Sequence, residues 1–233
     1  MKVAITQPTC LPWLGYFELI AQVDAFVFLD SVQFEKQSWQ SRNKIRSNDG
    51  RLQWLSAPVM NAPLDTAIKD IDLAPNAQKI FNKQHRTIRQ ELGKAPYFHE
   101  AEGILSEHFD LNLATSNLAD FNIRFIEKVT EALGVKPTKF FRSSALQASG
   151  HREELLIRIC EELGGDFYYS NAGSASYLEE ARSKFENAGI ELAFQNWEHP
   201  TYPQLCEPFE SHLSCVDAIA SVGLEKCRKF IEL

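Results

Sequence analysis

The spacing of apolar and polar positions changes period several times along the chain, and each change marks an expected element. Val3–Ile5 is a short apolar run closed by Gln7 and Pro8, and Ala25–Leu29 is a second one closed by Asp30, so both read as buried strands. Between them, Leu14–Val23 carries apolar residues three and four apart, the repeat of a helix. Further strands are expected at Leu52–Val59, Ile68–Leu73, Lys139–Arg142, Asp166–Tyr169 and Ile190–Gln195, where β-branched, aromatic and leucine residues cluster between turn signals. Helical spacing returns at Asn76–Leu92, Leu118–Leu133, Arg152–Leu163 and Ser176–Ala188. Gly134, Gly164 and Gly189 follow the last three of these at the place of a left-handed helix cap, and Ser116 is the expected N-cap of the helix at 118.

Strands that alternate with helices imply an α/β fold, a largely parallel or mixed sheet with flanking helices. Ligands of such sheets collect beyond the carboxyl ends of the strands, which directs attention to the loops after Ile5, Leu29 and Tyr169. No repeat, low-complexity tract or Gly/Ser linker interrupts the chain. Residues 1–233 therefore read as one domain, with a helical insertion over 76–134.

Composition narrows the classes. With 44% hydrophobic and 24% charged residues, the 233-residue chain has the makeup of a globular core and not of a disordered segment. A net charge of −7 disfavours nucleic acid and anionic membranes as partners, since both are bound by displacing counterions with Lys and Arg. No apolar run reaches the roughly 20 residues of a membrane span, and the opening MKVAITQPTC lacks the apolar core of a secretory leader, so a cytoplasmic protein is expected. The five cysteines are scattered and never in a CxxC spacing, which predicts reduced thiols, no metal and no cofactor.

Three loops and one C-terminal cluster carry candidate chemistry. The first loop contains Gln7, two prolines, Trp13, Gly15 and Tyr16, a stiff aromatic turn entering a helix and suited to a sugar ring or a phosphate. The second, after Leu29, contains Gln33, Lys36, Trp39, Arg42, Asn43, Lys44 and Arg46. Cations interleaved with an indole in an acidic protein point to an anionic small molecule, with a solvated surface loop as the alternative. The turn from Tyr168 to Tyr177 offers Asn171, Gly173 and Ser174. Near the end, His199, Tyr202, Gln204, His212, Ser214 and Asp217 fall within nineteen residues, where a His/Asp pair could move protons; for His212 a structural role leads. Cys215 reads as a small buried hydrophobe.

The ordered series of motifs resembles the WbqC-like family. The segment QPTCLPWLGYFELIAQVDAFVFLDSVQFEKQSWQSRNKIR is similar to the family's QPxYxPWxGYF and VQFxKxxWxxRNxI patterns. The resemblance continues at Ala95–Phe98, Tyr169–Leu178, His199–Gln204 and His212–Asp217, and so covers nearly the whole chain. Cys10 and Ser41 depart from the family's frequent Tyr and Asn. The resemblance implies a place in surface-polysaccharide (O-antigen) biosynthesis without fixing a reaction. Trp13-Leu14-Gly15-Tyr16 also stands where nucleotidylyltransferases carry HxGH, keeping the glycine and lacking both imidazoles.

Two functions follow as expectations. One is a transferase (acyl, aminoacyl or glycosyl) acting on a sugar nucleotide or amino sugar, with His199, Asp30 and Asp217 as catalytic residues. Gln7, Trp13, Gly15, Tyr16, Gln33, Lys36, Trp39, Arg42, Asn43, Lys44, Asn171, Tyr202 and Gln204 would then bind the ligand. The other is a non-catalytic sugar-nucleotide-binding or scaffold protein with a pathway enzyme as partner. No Walker loop, GxGxxG, GxSxG or HxxxD motif is present. Trp13, Trp39, Arg42 and Asn171 are expected to line one concavity at one end of the sheet.

Overall fold

A computed structural model describes residues 1–110, 116–135 and 139–232. Its centre is a five-stranded parallel sheet, β1 (Lys2–Thr6), β2 (Ala25–Phe28), β5 (Lys139–Arg142), β6 (Phe167–Ser170) and β7 (Glu191–Phe194), in the order β5-β2-β1-β6-β7. The α/β expectation therefore holds. All four residues of β2 are buried, as a strand covered on both faces requires, which is why its sequence is a continuous apolar run and not an alternation.

Alternate side chains of the inner strands feed two cores. Ala4, Phe26 and Phe28 point into the larger one, with Phe17 and Leu19 of α1 (Leu14–Ala21) and residues of α2 (Ala77–Leu92), α3 (Phe98–His108), α4 (Leu118–Ala132) and α8 (Cys215–Ile231). Val3, Ile5, Ala25 and Val27 point the other way, against Leu156 and Ile159 of α5 (Glu153–Leu163) and Phe185 of α7 (Arg182–Asn187). A separate antiparallel hairpin, β3 (Arg42–Arg46) with β4 (Leu52–Ser56), lies beside α8 and ties to it where Ser214 N donates to the Lys44 carbonyl.

Four local expectations are corrected. Arg42–Arg46, taken for loop, is a strand: Asn43 and Ile45 face inward while Arg42 and Lys44 stay half-buried, a pattern too polar to show in hydropathy. Ile68–Leu73 is not a strand but a 3-10 turn over Ile68–Asp70 followed by isolated bridges. Ile68, Ile71 and Leu73 are buried as an alternating strand would bury them. Their backbone, however, bonds to Val32, Ser116 and Leu118 in turn, so among the described residues no continuous neighbouring strand accompanies them. The N-cap of α4 is Asn117 and not Ser116; its Oδ1 accepts from Ala119 N and Asp120 N. The expected helix over 176–188 is split into α6 (Ala175–Leu178), a 3-10 turn and α7.

α3 had no counterpart among the expected elements, whereas α8 starts after Ser214, whose hydroxyl accepts from Val216 N as an N-cap. α8 is broken at Gly223, whose φ of 79° suits glycine, and the Tyr97 ring fills the space a side chain would need there. The second half of α8 is capped by Glu100, whose carboxylate accepts from Leu224 N at 2.6 Å.

Candidate functional site

Strand order reverses direction between β1 and β6. The chain runs outward through β2 and β5 on one side and through β7 on the other, so the loops after β1 and β6 part and leave a crevice at the carboxyl edge. A cavity of about 490 Å³ occupies that position. Thr6, Thr9, Pro12, Trp13, Gly15 and Tyr16 line it from the first loop and α1, Trp39 and Asn43 from the second loop and β3, and Asn171 to Gly173 from the turn after β6. Gln195, Trp197 and His212 complete the wall.

The first loop is held in an unusual shape. Leu11 has φ 46°, a left-handed conformation that bulky residues avoid, and Asn43 Nδ2 donates to its carbonyl at 2.8 Å. Asn122 Nδ2 donates to the carbonyls of Pro8 and Gln40, and Gln40 Nε2 donates to Gln7 Oε1 at 2.9 Å. Tyr16 Oη donates to the Gln7 carbonyl at 3.0 Å. Gln7 and Asn43 are thus spent largely on bracing the loop, although Asn43 also reaches the lining. Burial pushes the Cys10 thiol up to about 12, which removes it as a nucleophile.

Trp13 forms the aromatic floor. Its indole lies over Gly15, where an added Cβ would come within 2.2 to 2.6 Å of three ring atoms, so only glycine permits the arrangement. Around it stand Trp197 at 5.6 Å, the stacked His199 at 5.9 Å and His212 at 4.7 Å between ring centres. Behind, Gln195 Nε2 donates to the Gly15 carbonyl and to Glu18, and Tyr169 Oη donates to Glu18 at 3.2 Å. Burial raises the Glu18 pKa above the ordinary range, with the Gln195 and Tyr169 hydrogen bonds and Lys2 opposing it.

No Asp, Glu, Lys or Arg is among the lining residues. This corrects the expected concavity: Trp13, Trp39 and Asn171 share it, and Arg42 does not. The Arg42 guanidinium lies over the Trp54 ring at 4.4 Å, and Trp54 in turn contacts Trp39 at 5.9 Å, so two rings separate Arg42 from the cavity. Lys44 is paired with Glu210 at 3.2 Å, Lys36 is exposed, and Gln33 donates to the Leu64 carbonyl.

Both candidate catalytic carboxylates are saturated away from the lining. Asp30 is fully buried and accepts from Arg142 Nε at 2.7 Å, Ser143 Oγ, Ser144 N and Ser144 Oγ. Burial works to raise its pKa, but the Arg142 and Ser144 hydrogen bonds prevail and hold it below the usual carboxylate range. It anchors the segment after β5. Asp217 accepts from Arg46 N at 3.1 Å, Tyr202 Oη at 3.1 Å and Gln204 Nε2 at 3.3 Å, and burial pushes it up to about 6. Tyr202, Gln204 and Asp217 therefore form an internal brace between α8, β3 and the 204–210 turn.

The two histidines differ. His199 Nδ1 lies 2.9 Å from the Pro200 carbonyl, which can only accept, so the neutral ring carries its proton there and leaves Nε2 as a base; burial lowers its pKa. His212, read from sequence as more structural, is exposed, lines the cavity, has φ 58°, and places its ring 5.0 Å from His199. Thr6, Thr9, Gln195, Trp197 and Trp54 were missed. Gln195 and Trp197 had a signal: the first ends an expected strand and the second follows it, at the same edge as Asn171.

Among the described residues no group of three or more His, Cys, Asp or Glu could hold a metal ion, and no helix is long and apolar enough to cross a membrane. Residues 7–229 match the WbqC-like protein family. The chain is also 30% identical over 232 residues to the uncharacterised protein Rv1507c of Mycobacterium tuberculosis, covering 96% of this chain and 95% of the relative. No solved structure matches significantly.

Proposed function

The chain belongs to the WbqC-like protein family, and on that premise we propose that it binds a sugar nucleotide or amino sugar in the switch-point cavity and acts as a cytoplasmic transferase of surface-polysaccharide assembly. The observation that carries this reading is the lining itself: three indoles, Trp13, Trp39 and Trp197, together with Thr, Asn and Gln side chains and no charged one. A sugar presents apolar C–H faces to stack and hydroxyls to pair, which is what such a wall offers. α1 begins at the same space, with Gly15 and Tyr16 of its first turn in the lining, so a phosphate of the ligand would lie at the positive end of that helix. His212, in the lining, is the group that takes a proton from an acceptor amine or hydroxyl, and His199, which is not a lining residue, stands behind it at 5.0 Å with Nε2 as a second base.

The saturation of Asp30 and Asp217 favours a second reading, binding without catalysis, because neither carboxylate orients a histidine. The test is a thermal-shift series with UDP- and dTDP-linked sugars, the free sugars and the nucleoside diphosphates. At one hundred times the dissociation constant a ligand stabilises by about 2.7 kcal/mol. A shift with sugar nucleotides that Trp39→Ala removes supports the site, since Trp39 is half-exposed and dispensable to the core. No shift with any of them sinks the reading. Transfer to an amino sugar that His199→Ala and His212→Ala abolish, with the thermal shift retained, separates catalysis from binding alone.

A further inference from the structure

The hairpin beside the cavity carries a surface that the cavity does not use. β3 and β4 pair Arg42 with Ser56 and Lys44 with Trp54, so Arg42, Lys44 and Trp54 share the outward face, while Asn43, Ile45 and Leu55 of the same strands are buried. Trp54 is 43% exposed and Trp39 51% exposed, and the two rings touch at 5.9 Å with 34° between their planes. Arg42 lies over Trp54 at 4.4 Å and, among the described residues, makes no hydrogen bond or ion pair with its guanidinium. Two indoles left in water, Trp54 on the hairpin and Trp39 on the loop that leads into it, are costly to solubility and do nothing for the core.

We propose that this ledge binds an acidic glycan, a sugar chain bearing carboxylates, as the acceptor delivered to the cavity. Three observations converge on that class. Tilted, adjoining indoles offer flat apolar faces to consecutive sugar rings, as they do for successive bases of a single strand. Lys44 is paired with Glu210, which leaves Arg42 as the ledge's cation in a chain of net charge −7, and its guanidinium fork matches a carboxylate in two parallel hydrogen bonds. Trp39 belongs to both surfaces, lining the cavity and touching Trp54, so a chain lying on the ledge brings its end to the cavity mouth. This deepens the sugar-binding reading of the cavity and rests on it for the word acceptor. Binding to the ledge is measured separately.

The experiment is titration of the full chain with tetragalacturonate, oligosialic acid and neutral maltotetraose, followed by intrinsic tryptophan fluorescence at low and at 0.3 M salt. An acidic tetramer is expected to bind at least about ten-fold more tightly than maltotetraose and to weaken with salt, as screened charge contacts do. Trp54→Ala should lower its affinity by about ten-fold, the effect of uncovering on the order of 50 Å² of apolar surface at about 25 cal/mol per Å². Arg42→Lys should also weaken it, because the charge stays and the fork is lost. Neither Arg42 nor Trp54 is itself a lining residue of the cavity, so a retained thermal shift with the best sugar nucleotide shows that each variant is folded. Failure of sugar nucleotides to bind removes the cavity reading and leaves the ledge result standing. The ledge proposal is overturned if neither acidic tetramer binds, if maltotetraose binds equally, or if Trp54→Ala binds like wild type; a ledge with no glycan affinity is a protein-contact surface.

Discussion

Acidification below about pH 6.5 should weaken the fold through His108. Its ring is 2% exposed, with centres 4.0 Å from Phe121 and 4.8 Å from Phe125, and neither ring nitrogen has a hydrogen-bond partner among the described residues. Burial, and then the charges of Arg124 and Lys128, hold its pKa well below the ordinary value. The unfolded chain takes up a proton near pH 6.5 while the native ring stays neutral, so the native state binds fewer protons below that point. The stability from this residue is complete above the unfolded value and is lost as the pH falls past it, at about 1.4 kcal/mol per pH unit. Integrated, the loss is about 1.4 kcal/mol at pH 5.5 and about 2 kcal/mol at pH 5.0.

Urea unfolding of wild type and His108→Leu between pH 7.5 and 5.0 isolates the effect, because every other histidine titrates in both proteins. At pH 7.5 the variant is expected to be at least as stable, since an enclosed polar atom without a partner costs about 1–3 kcal/mol. Below pH 6.5 the two curves should diverge by the amounts above. Curves that stay parallel down to pH 5.0 refute the assignment of a neutral native ring. The consequence reaches the cavity: α4 carries Phe121 and Phe125 against His108 and also Asn122, which holds the Pro8 and Gln40 carbonyls.

Three further predictions bear on the site directly. Gly15→Ala places a methyl group into the Trp13 ring and is expected to cost about 1–3 kcal/mol and the sugar-nucleotide thermal shift together; a melting curve like wild type with the shift intact contradicts the Trp13 placement. At His212, where φ is 58°, the glycine variant should be more stable than the alanine variant by about 1 kcal/mol, since both lose the ring and only alanine pays for the left-handed backbone; equal melting temperatures dismiss the strain. Asn43→Ala removes the donor to the Leu11 carbonyl and the acceptor of Lys44 N and should cost about 1–3 kcal/mol in urea unfolding; a loss under about 0.5 kcal/mol means the loop holds its shape without it.

The sheet was legible in sequence because each of its strands satisfies a local rule. β1 and β2 are apolar on both faces, and β6 and β7 are bounded by glycine or proline-rich turns. β3 was not legible, because its burial depends on what lies across it: Asn43 is interior only because Leu11 and Lys44 present a carbonyl and an N–H to it. The same holds for Asp30, an exposed loop acid by its neighbours in sequence and a buried anchor by virtue of Arg142, 112 residues away. The aromatic half of the site was visible as Trp13, Gly15, Tyr16 and Trp39. The absence of charge from it was not, since only the fold turns Arg42 onto Trp54 and Lys44 onto Glu210.

That neutrality bears on selectivity more than on affinity. Thr9 Oγ1 is enclosed beside the cavity and has no hydrogen-bond partner among the described residues. A buried hydroxyl in that condition costs about 1–3 kcal/mol, which a ligand hydroxyl or amide at the same place recovers. Covering an indole with the C–H face of a sugar contributes through the apolar area removed from water, about 25 cal/mol per Å², and is nearly indifferent to which sugar supplies the face. Discrimination therefore falls to the few polar groups that stacking cannot replace, because a site built to pair a hydroxyl penalises a ligand lacking it far more than a ligand of slightly different shape. Thr9→Val keeps the volume and removes the hydroxyl. It should leave the thermal shift with a deoxysugar nucleotide unchanged where the deoxy position faces Thr9, and lower the shift with its hydroxylated counterpart, so that the preference between the two narrows by about 1–3 kcal/mol. Equal losses for both sugars would place Thr9 in the frame of the loop and leave recognition to Asn171 and Gln195.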